Sequence, residues 1–186
     1  MTVFEKGNIS IHTENIFPII KKSLYTDHEI FLRELISNAV DALSKLKMAS
    51  LAGEVSCNVP EPEITITVDK TDKSLSITDN GIGMSTEEIK KYINQVAFSS
   101  AEEFVKKYEK DANEIIGHFG LGFYSAFMVS KKVEIDTLSY KEDSKPIHWS
   151  CDGSPSFELS ESNRTQIGTT IKSVSYTHLR AHETVD

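Results

Sequence analysis

The chain has 186 residues and a formal net charge of −8, with charged and hydrophobic shares of 26% and 39%, as is typical of one soluble globular domain. The acidic balance argues against a dedicated nucleic-acid surface, because phosphate backbones require clustered lysine and arginine side chains. A phosphate ligand is still compatible with it, since backbone N–H groups hold phosphate without a formal charge.

Secreted, membrane and metal-cluster proteins are also disfavoured. The start of the chain lacks a basic region followed by an apolar run, so no signal peptide is indicated. No apolar stretch approaches the roughly 18 residues that cross a membrane. Cys57 and Cys151 are far apart and form no CxxC pair. We therefore expect free thiols in a reducing compartment, and a cytoplasmic protein with neither a membrane nor a nucleic-acid partner.

Helices are the first predicted elements. Residues 13–24 are expected to form a short helix, and residues 27–48 a longer one that is free of glycine and proline. At roughly 100° per residue, this longer helix has one broad apolar stripe and a narrow polar line. The stripe contains Leu32, Leu35, Ile36, Ala39, Val40, Ala42, Leu43 and Leu46, and the line contains Glu34, Asn38, Asp41 and Lys45.

Alternating residues predict the strands. Residues 63–68 and 75–79 form a β-hairpin with one buried face, and Ser85 opens a short helix with a capping signature. Short turns between the later strands predict antiparallel pairing. The fold class is α/β (α+β), a two-layer sandwich of a mixed, largely antiparallel sheet with helices on one face. The later strands are expected at 133–140, 147–153, 156–160 and 168–174.

The polar line could carry chemistry. Glu34, Asn38 and Asp41 lie about one turn apart on one helix face. Such a carboxylate and amide could activate water and bind Mg²⁺, which prefers oxygen ligands. A solvated helix face is the commoner origin of this pattern. Asn38 and Asp41 are poor formers of a helix interior, which favours a functional role.

The segment DNGIGM at 79–84 follows a strand. Asp79 could accept a hydrogen bond from an exocyclic amine, and the glycines would let a flat ring approach the backbone. Met84 could pack against that ring. A glycine-rich turn with Met84 in the core explains the segment equally well.

A second glycine-rich segment, GHFGLGF at 117–123, leads into an apolar helix. Glycines at a helix N-terminus expose N–H groups that suit phosphate. The spacing GxxGxG matches neither the dinucleotide fingerprint nor a P-loop. A nucleotide site here would therefore be of another kind.

These segments together resemble one family. YTDHEIFLRE at 25–34, LISNAVDA at 35–42, DNGIGM, and IGHFGLGFYSAF at 116–127 are similar to blocks of the heat-shock protein 90 chaperones, most of all the bacterial ones. The resemblance covers residues 4–172. It implies the Bergerat ATP-binding fold that is shared with DNA gyrase, sensor histidine kinases and MutL.

The resemblance also implies a function. The expected ligands are ATP or ADP with Mg²⁺, closed over by a lid at 97–116. The whole chaperone would be a homodimer that acts on client proteins and completes its site with an arginine of its middle domain. This chain alone is expected to be a monomer that binds nucleotide with little turnover. The alternative is a nucleotide-gated binding module without ATPase activity.

Individual roles follow from the matching positions. Glu34 matches the glutamate that activates the attacking water, and Asn38 matches the Mg²⁺ ligand. Asp41 lies at the ribose and phosphate end, and Asp79 matches the carboxylate that recognises adenine. The other implied nucleotide-binding residues are Gly83 and Met84 at the adenine, Asn94 near the sugar, Gly120, Leu121, Gly122 and Phe123 in the phosphate loop, and Thr169 at the adenine through water.

Two departures from the family stand out. AFSS at 97–100 replaces the usual Ala-Lys-Ser-Gly of the lid, so Phe98 is expected to pack the closed lid instead of contacting phosphate. After Lys172 the residues resemble an in-frame translation of sequencing-adapter DNA. We therefore predict an ATP-binding domain over 1–172 and a non-native tail over 173–186.

Overall fold

A computed structural model of the chain describes residues 3–8, 30–56, 59–94, 122–154 and 156–175. The helix predicted at 13–24, the lid at 97–116, and Gly120 and Leu121 lie outside these residues. The described elements are β1 (Val3–Asn8), α1 (Ile30–Leu51), β2 (Ile64–Asp69), β3 (Ser74–Asp79), α2 (Thr86–Tyr92), a 3₁₀ helix (Gly122–Met128), β4 (Ser130–Leu138), β5 (Ile147–Cys151), β6 (Ser156–Glu161) and β7 (Gly168–Ser175).

The seven strands form one sheet in the order β1-β6-β5-β4-β7-β3-β2. Every neighbouring pair of described strands is antiparallel. The last strand of the described residues, β7, therefore lies between β4 and β3 near the middle of the sheet. The predicted α/β fold, with a largely antiparallel sheet, is confirmed.

The inner face of the sheet, which packs against α1 and the 3₁₀ helix, holds the core. The register places Ile77 opposite Ile171, Ile171 opposite Ile135, and Ile135 opposite Trp149. Because side chains alternate along a strand, these four residues share one face. Ile135 and Trp149 are both 0% exposed, so the centre of the core lies on β4 and β5.

The predicted hairpin is present as β2 and β3, but its two strands differ in burial. Ile77 on β3 is 2% exposed, whereas Ile66 and Val68 on β2 are 46% and 59% exposed. Ile66 lies directly opposite Ile77 and points to the same face. The difference arises because β2 is the edge strand among the described residues, beyond the area that α1 covers.

Helix α1 buries one face against the sheet and the 3₁₀ helix. The apolar stripe is correctly predicted at Leu35, Ala39 and Leu46, which are buried, but Val40 is 47% exposed. A stripe of eight residues covers a wider arc than two neighbouring elements can bury, so its margin faces solvent. Within the described ranges, no helix combines the length and the apolarity needed to cross a membrane.

The 3₁₀ helix is anchored by aromatic packing, and all seven of its residues are buried. The Phe123 ring meets the rings of Tyr124 and Trp149 edge to face, with centroids 5.4 and 5.7 Å away. The Tyr124 hydroxyl donates to the Ile93 carbonyl, next to the end of α2. These contacts hold Phe123 in place beneath the inner face of α1.

Helix α2 begins at its predicted cap. The Ser85 Oγ accepts from the Glu88 N–H at 3.3 Å, and the Glu88 carboxylate accepts from the Ser85 N–H at 2.8 Å. This reciprocal arrangement is a capping box, which satisfies two backbone donors that the helix itself cannot.

The outer face of the sheet is polar. The Thr78 and Thr170 Oγ1 atoms are 3.0 Å apart, and His148 Nδ1 lies 3.0 Å from Asp136 Oδ1. Burial alone would raise the pKa of Asp136, but hydrogen bonds from His148 and Ser162 outweigh burial and hold this pKa below its usual value. The hydrogen bond to Asp136 in turn raises the pKa of His148.

The three residues after Lys172 continue β7. Ser173 pairs with both Leu75 and Val133, and the Ser175 N–H donates to the Lys73 carbonyl at 3.0 Å. Residues 176–186 lie outside the described part of the chain. The foreign origin of residues 173–186 stays a prediction.

Candidate functional site

A cavity of about 500 Å³ lies between α1 and the inner face of the sheet. Ile77, Ile135 and Ile171 contribute to its apolar floor, and Leu35 and Ala39 of α1 lie on its other side. This volume and lining are typical of a site for a small organic molecule, in which a few polar groups fix the orientation.

Asp79, the last residue of β3, is the buried acid of this cavity. It is 5% exposed, and its Oδ1 accepts from the Gly81 N–H at 2.9 Å. Burial raises its pKa to about 6, against the opposing effects of the Gly81 N–H, the Arg164 charge and the Thr169 N–H. At neutral pH Asp79 is therefore largely ionised, and it can accept hydrogen bonds from a ligand amine.

Two glycines place the turn after Asp79 tightly against its neighbours. A Cβ on Gly81 would lie 2.6 Å from the Ala42 carbonyl carbon, and one on Gly83 would lie 1.9 Å from the Leu138 oxygen. Gly83 also has a φ of +64°, in the left-handed region that favours glycine. The turn thus packs between α1 and the end of β4, and a flat ligand can approach its backbone.

A fully buried hydroxyl supports the opposite wall. Thr137 is 0% exposed, and its Oγ1 lies 3.0 Å from the Thr169 Oγ1. The same Oγ1 accepts from the Met84 N–H at 2.9 Å and donates to the Gly168 carbonyl at 3.1 Å. Thr137 thereby fixes Thr169 and Met84, two predicted adenine residues that both line the cavity.

Sequence reasoning missed Thr137. The available signal was a polar residue at an inward position of an otherwise apolar strand, after Val133 and Ile135.

The polar line of α1 faces the cavity for part of its length. Asn38, Asp41 and Lys45 all line the cavity. Glu34, one turn earlier, does not line it, but its Oε2 would lie only 2.5 Å from a Cβ on Gly122. The carboxylate of Glu34 therefore lies against Gly122 at the start of the 3₁₀ helix, and a side chain at that position would displace it.

Of two other predicted nucleotide-binding residues, one lines the cavity and one does not. Phe123 lines the cavity beside Gly83 and Met84, whereas Asn94 does not. Asn94 is 5% exposed, and its Oδ1 accepts from the Trp149 Nε1 at 3.1 Å. The structure therefore brings Asn94 into the aromatic core beneath Phe123, where the indole N–H requires a buried acceptor.

The donor set suits Mg²⁺ held mainly by a phosphate ligand. The described ranges contain no group of three or more His, Cys, Asp or Glu residues that could hold a metal. Asn38 and Asp41 offer oxygen atoms at the cavity lining. Mg²⁺ typically binds one or two protein oxygens together with substrate phosphates and water, so these residues fit it.

Comparison with known proteins agrees with this architecture. The family model for histidine kinase-, DNA gyrase B- and HSP90-like ATPases matches residues 25–183. The chain belongs to this ATPase family. The predicted Bergerat-type fold and nucleotide-binding class are thereby confirmed.

Curated relatives of this ATPase domain are bacterial chaperones. The chaperone protein HtpG of Bacteroides fragilis is 58% identical over 167 residues, which are 90% of this chain and 24% of that protein. HtpG of Porphyromonas gingivalis is 53% identical over 167 residues, with the same two coverages. HtpG of Borreliella afzelii is 44% identical over 171 residues, which are 90% of this chain and 27% of that protein.

The chain thus spans about a quarter of the length of these curated relatives. The resemblance to the heat-shock protein 90 chaperones is confirmed.

Proposed function

We propose that this ATPase domain binds ATP or ADP with Mg²⁺ in the cavity under α1, as the nucleotide-binding part of a molecular chaperone. The buried carboxylate of Asp79 in the lining of this largely apolar cavity is the observation that carries the proposal. An ionised acid that is only 5% exposed is costly to bury, and burial outweighs its backbone donors. The exocyclic amine of adenine would supply a further donor.

The nucleotide would extend from Asp79 along α1. Thr169 would accept from the base or a bridging water, and Gly83 and Met84 would form the wall against its ring. Asp41 would meet the ribose and phosphate end. The phosphates would reach the start of the 3₁₀ helix at Gly122. Gly120 and Leu121, which precede Gly122 in the sequence, would also contribute to phosphate binding.

Asn38 would hold Mg²⁺ at the phosphates, where the ion neutralises charge on their oxygens. Asn94, whose Oδ1 is taken by Trp149, would support the Phe123 wall from behind.

Nucleotide binding should stabilise the chain. Mg-ADP at 100 times its dissociation constant adds about 2.7 kcal/mol to the free energy of unfolding if the cavity is intact. Thermal unfolding with Mg-ADP, with magnesium and inorganic phosphate, and with magnesium alone measures this effect. A melting temperature unchanged by saturating Mg-ADP would contradict the proposed site.

Glu34 is proposed to orient and activate the attacking water. Replacing it with alanine should lower phosphate release by about 100-fold or more, because a general base contributes on that order. The affinity for ADP should stay within about twofold, since Glu34 does not line the cavity. Phosphate release and calorimetry on Glu34→Ala, beside the exposed control Glu61→Ala, test both expectations.

The wild-type rate itself is expected to be low. A cationic group that completes such a site is worth on the order of 10³–10⁵ in phosphoryl transfer, and we propose that a middle domain supplies it in the whole protein. If Glu34→Ala releases phosphate as fast as the wild type, any release is background. The chain would then act as a nucleotide-gated binding module.

The functions of the whole protein are proposals as well. The curated relatives are named chaperones, and the shared domain supports the same role here. We propose that ATP drives a conformational cycle of a cytoplasmic homodimer that acts on client proteins, with this domain alone as a monomer.

A further inference from the structure

Arg164, in the loop between β6 and β7, makes three hydrogen bonds with its guanidinium. Its Nε donates to the Gln166 carbonyl at 2.8 Å, and its Nη1 donates to the Thr170 Oγ1 at 2.7 Å. Its Nη2 donates to the Asp79 carbonyl at 3.1 Å. One side chain therefore joins its own loop, the start of β7 and the end of β3.

This guanidinium lies on the opposite face of the sheet from the cavity. Thr169 lines the cavity, and Thr170, the next residue of the same strand, must point to the other face. The contact with the Thr170 hydroxyl places Arg164 on that outer face. Arg164 therefore acts on the cavity from behind, without reaching a ligand in it.

Gly168 makes this close approach possible. A Cβ at this position would lie 2.1 Å from the Asp79 oxygen and 2.8 Å from the Arg164 Nη2, and the φ of Gly168 is +126°. The guanidinium thus lies where the Cβ of any residue other than glycine at position 168 would crowd it. Its planar fork reaches three acceptors at once, which the single ammonium of lysine does less well.

The point that Arg164 braces is the last pair of the β3–β7 ladder. Asp79 lies opposite Thr169 there, and the chain turns away immediately after Asp79. We propose that Arg164 is a positioning residue for nucleotide binding, which holds Asp79 and Thr169 in register from the outer face of the sheet. This inference rests on the proposed function, because Asp79 and Thr169 are its base-binding pair.

The charge of Arg164 has a second effect at the same place. It lowers the pKa of Asp79 against the larger effect of burial, so removing it should leave less ionised Asp79 at neutral pH. Among the described residues, the other ionisable groups that line the cavity are Asp41 and Lys45 on α1 and Glu88 and Tyr92 on α2. These four groups are unchanged in an Arg164 variant, so their contribution cancels in a comparison with the wild type. On the outer face, Asp136 of β4 also interacts with the Arg164 charge and lies 3.0 Å from His148. Arg164→Lys keeps a cation beside this pair, so it separates the charge from the geometry of the guanidinium.

Calorimetric titration of the 186-residue chain with Mg-ADP, from about pH 5.5 to 8, tests the proposal. Arg164→Gln should weaken binding about tenfold at pH 7 and move the pH midpoint of binding upward by roughly half a unit or more. Arg164→Lys keeps the positive charge but loses the planar guanidinium. It should therefore weaken binding, while the pH midpoint of binding stays near that of the wild type. The matched control is Lys172→Gln, an outer-face cation of β7 that pairs with Asp72 at 3.5 Å.

The outcomes separate the two levels of inference. If Arg164→Gln binds Mg-ADP with the same affinity and the same pH midpoint as Lys172→Gln, the positioning role is overturned, even if Arg164→Gln has a lower melting temperature. If Arg164→Gln does not fold, wild-type affinity in Arg164→Lys overturns the role instead. Failure of the wild type to bind Mg-ADP at any pH overturns the proposed function itself, and the inference with it.

Discussion

Asp79→Asn is expected to abolish nucleotide binding while making the ligand-free chain more stable at pH 7. The asparagine amide keeps an oxygen that accepts from the Gly81 N–H, but its NH₂ group replaces the second carboxylate oxygen. The amine of adenine then faces a donor instead of an acceptor and loses its hydrogen bond. Burial of the charge raises the pKa of Asp79 to about 6, so the ionised acid opposes folding at neutral pH. Removing it should add about 1–3 kcal/mol to the free energy of unfolding.

The dependence on pH has a definite sign. The folded-state pKa of Asp79 lies above its ordinary value of 3.8, so the folded chain holds this proton more tightly than the unfolded chain does. The stabilising contribution of that proton is complete below the ordinary value and is lost as the pH rises through about 6. The stability gained in Asp79→Asn should therefore be small at low pH and full above about pH 6.

Denaturant unfolding and ADP calorimetry across this pH range measure both effects. Asp72→Asn, in the exposed turn between β2 and β3, removes the same charge at a distance from the cavity and should change neither quantity. Wild-type affinity for ADP in Asp79→Asn would remove Asp79 from the base-binding role. A loss of stability at pH 7 would show that burial of the charge is not its dominant effect.

Gly83→Ala is expected to destabilise the chain by roughly 3–5 kcal/mol and to weaken nucleotide binding. The added Cβ would lie 1.9 Å from the Leu138 oxygen, and both are backbone-fixed, so neither can rotate away. The turn would have to leave the end of β4. Urea unfolding of the ligand-free chain gives the stability change, and ADP calorimetry gives the change in affinity.

Gly53→Ala is the matched control for backbone conformation. Gly53 has a φ of +75°, similar to that of Gly83, but nothing lies within 4 Å of its Cβ position. Gly53→Ala should lower the free energy of unfolding only by the penalty for a left-handed backbone conformation, roughly 1–2 kcal/mol. Equal losses in the two variants would mean that the turn yields to the clash without cost, contrary to the packing described.

Local signals predicted the parts of the site that depend on neighbouring residues. The spacing of Asn38 and Asp41 along a helix, the glycines after Asp79 and the cap at Ser85 all act within a few residues of chain. Their structural consequences could therefore be predicted before the fold was known. The family resemblance then joined these separate segments into one nucleotide site.

Contacts across the sheet were not predictable in this way. Thr137 and Arg164 matter because β7 pairs with both β4 and β3. This pairing brings together residues that are distant in the sequence, such as Asp79 and Thr169. The Asn94 contact with Trp149 likewise depends on β5. The exposure of Val40 depends on how much of α1 the sheet and the 3₁₀ helix can cover.

The position of β7 between β3 and β4 orders events during synthesis. Until residues 168–175 have left the ribosome, β2 and β3 form a hairpin that can pack against α1 but is not joined to β4 and the strands beyond it. Asp79 then lacks the strand that carries Thr169. The nascent chain should consequently gain affinity for nucleotide only when β7 is in place, so that nucleotide capture reports the joining of β3 to β4 through β7.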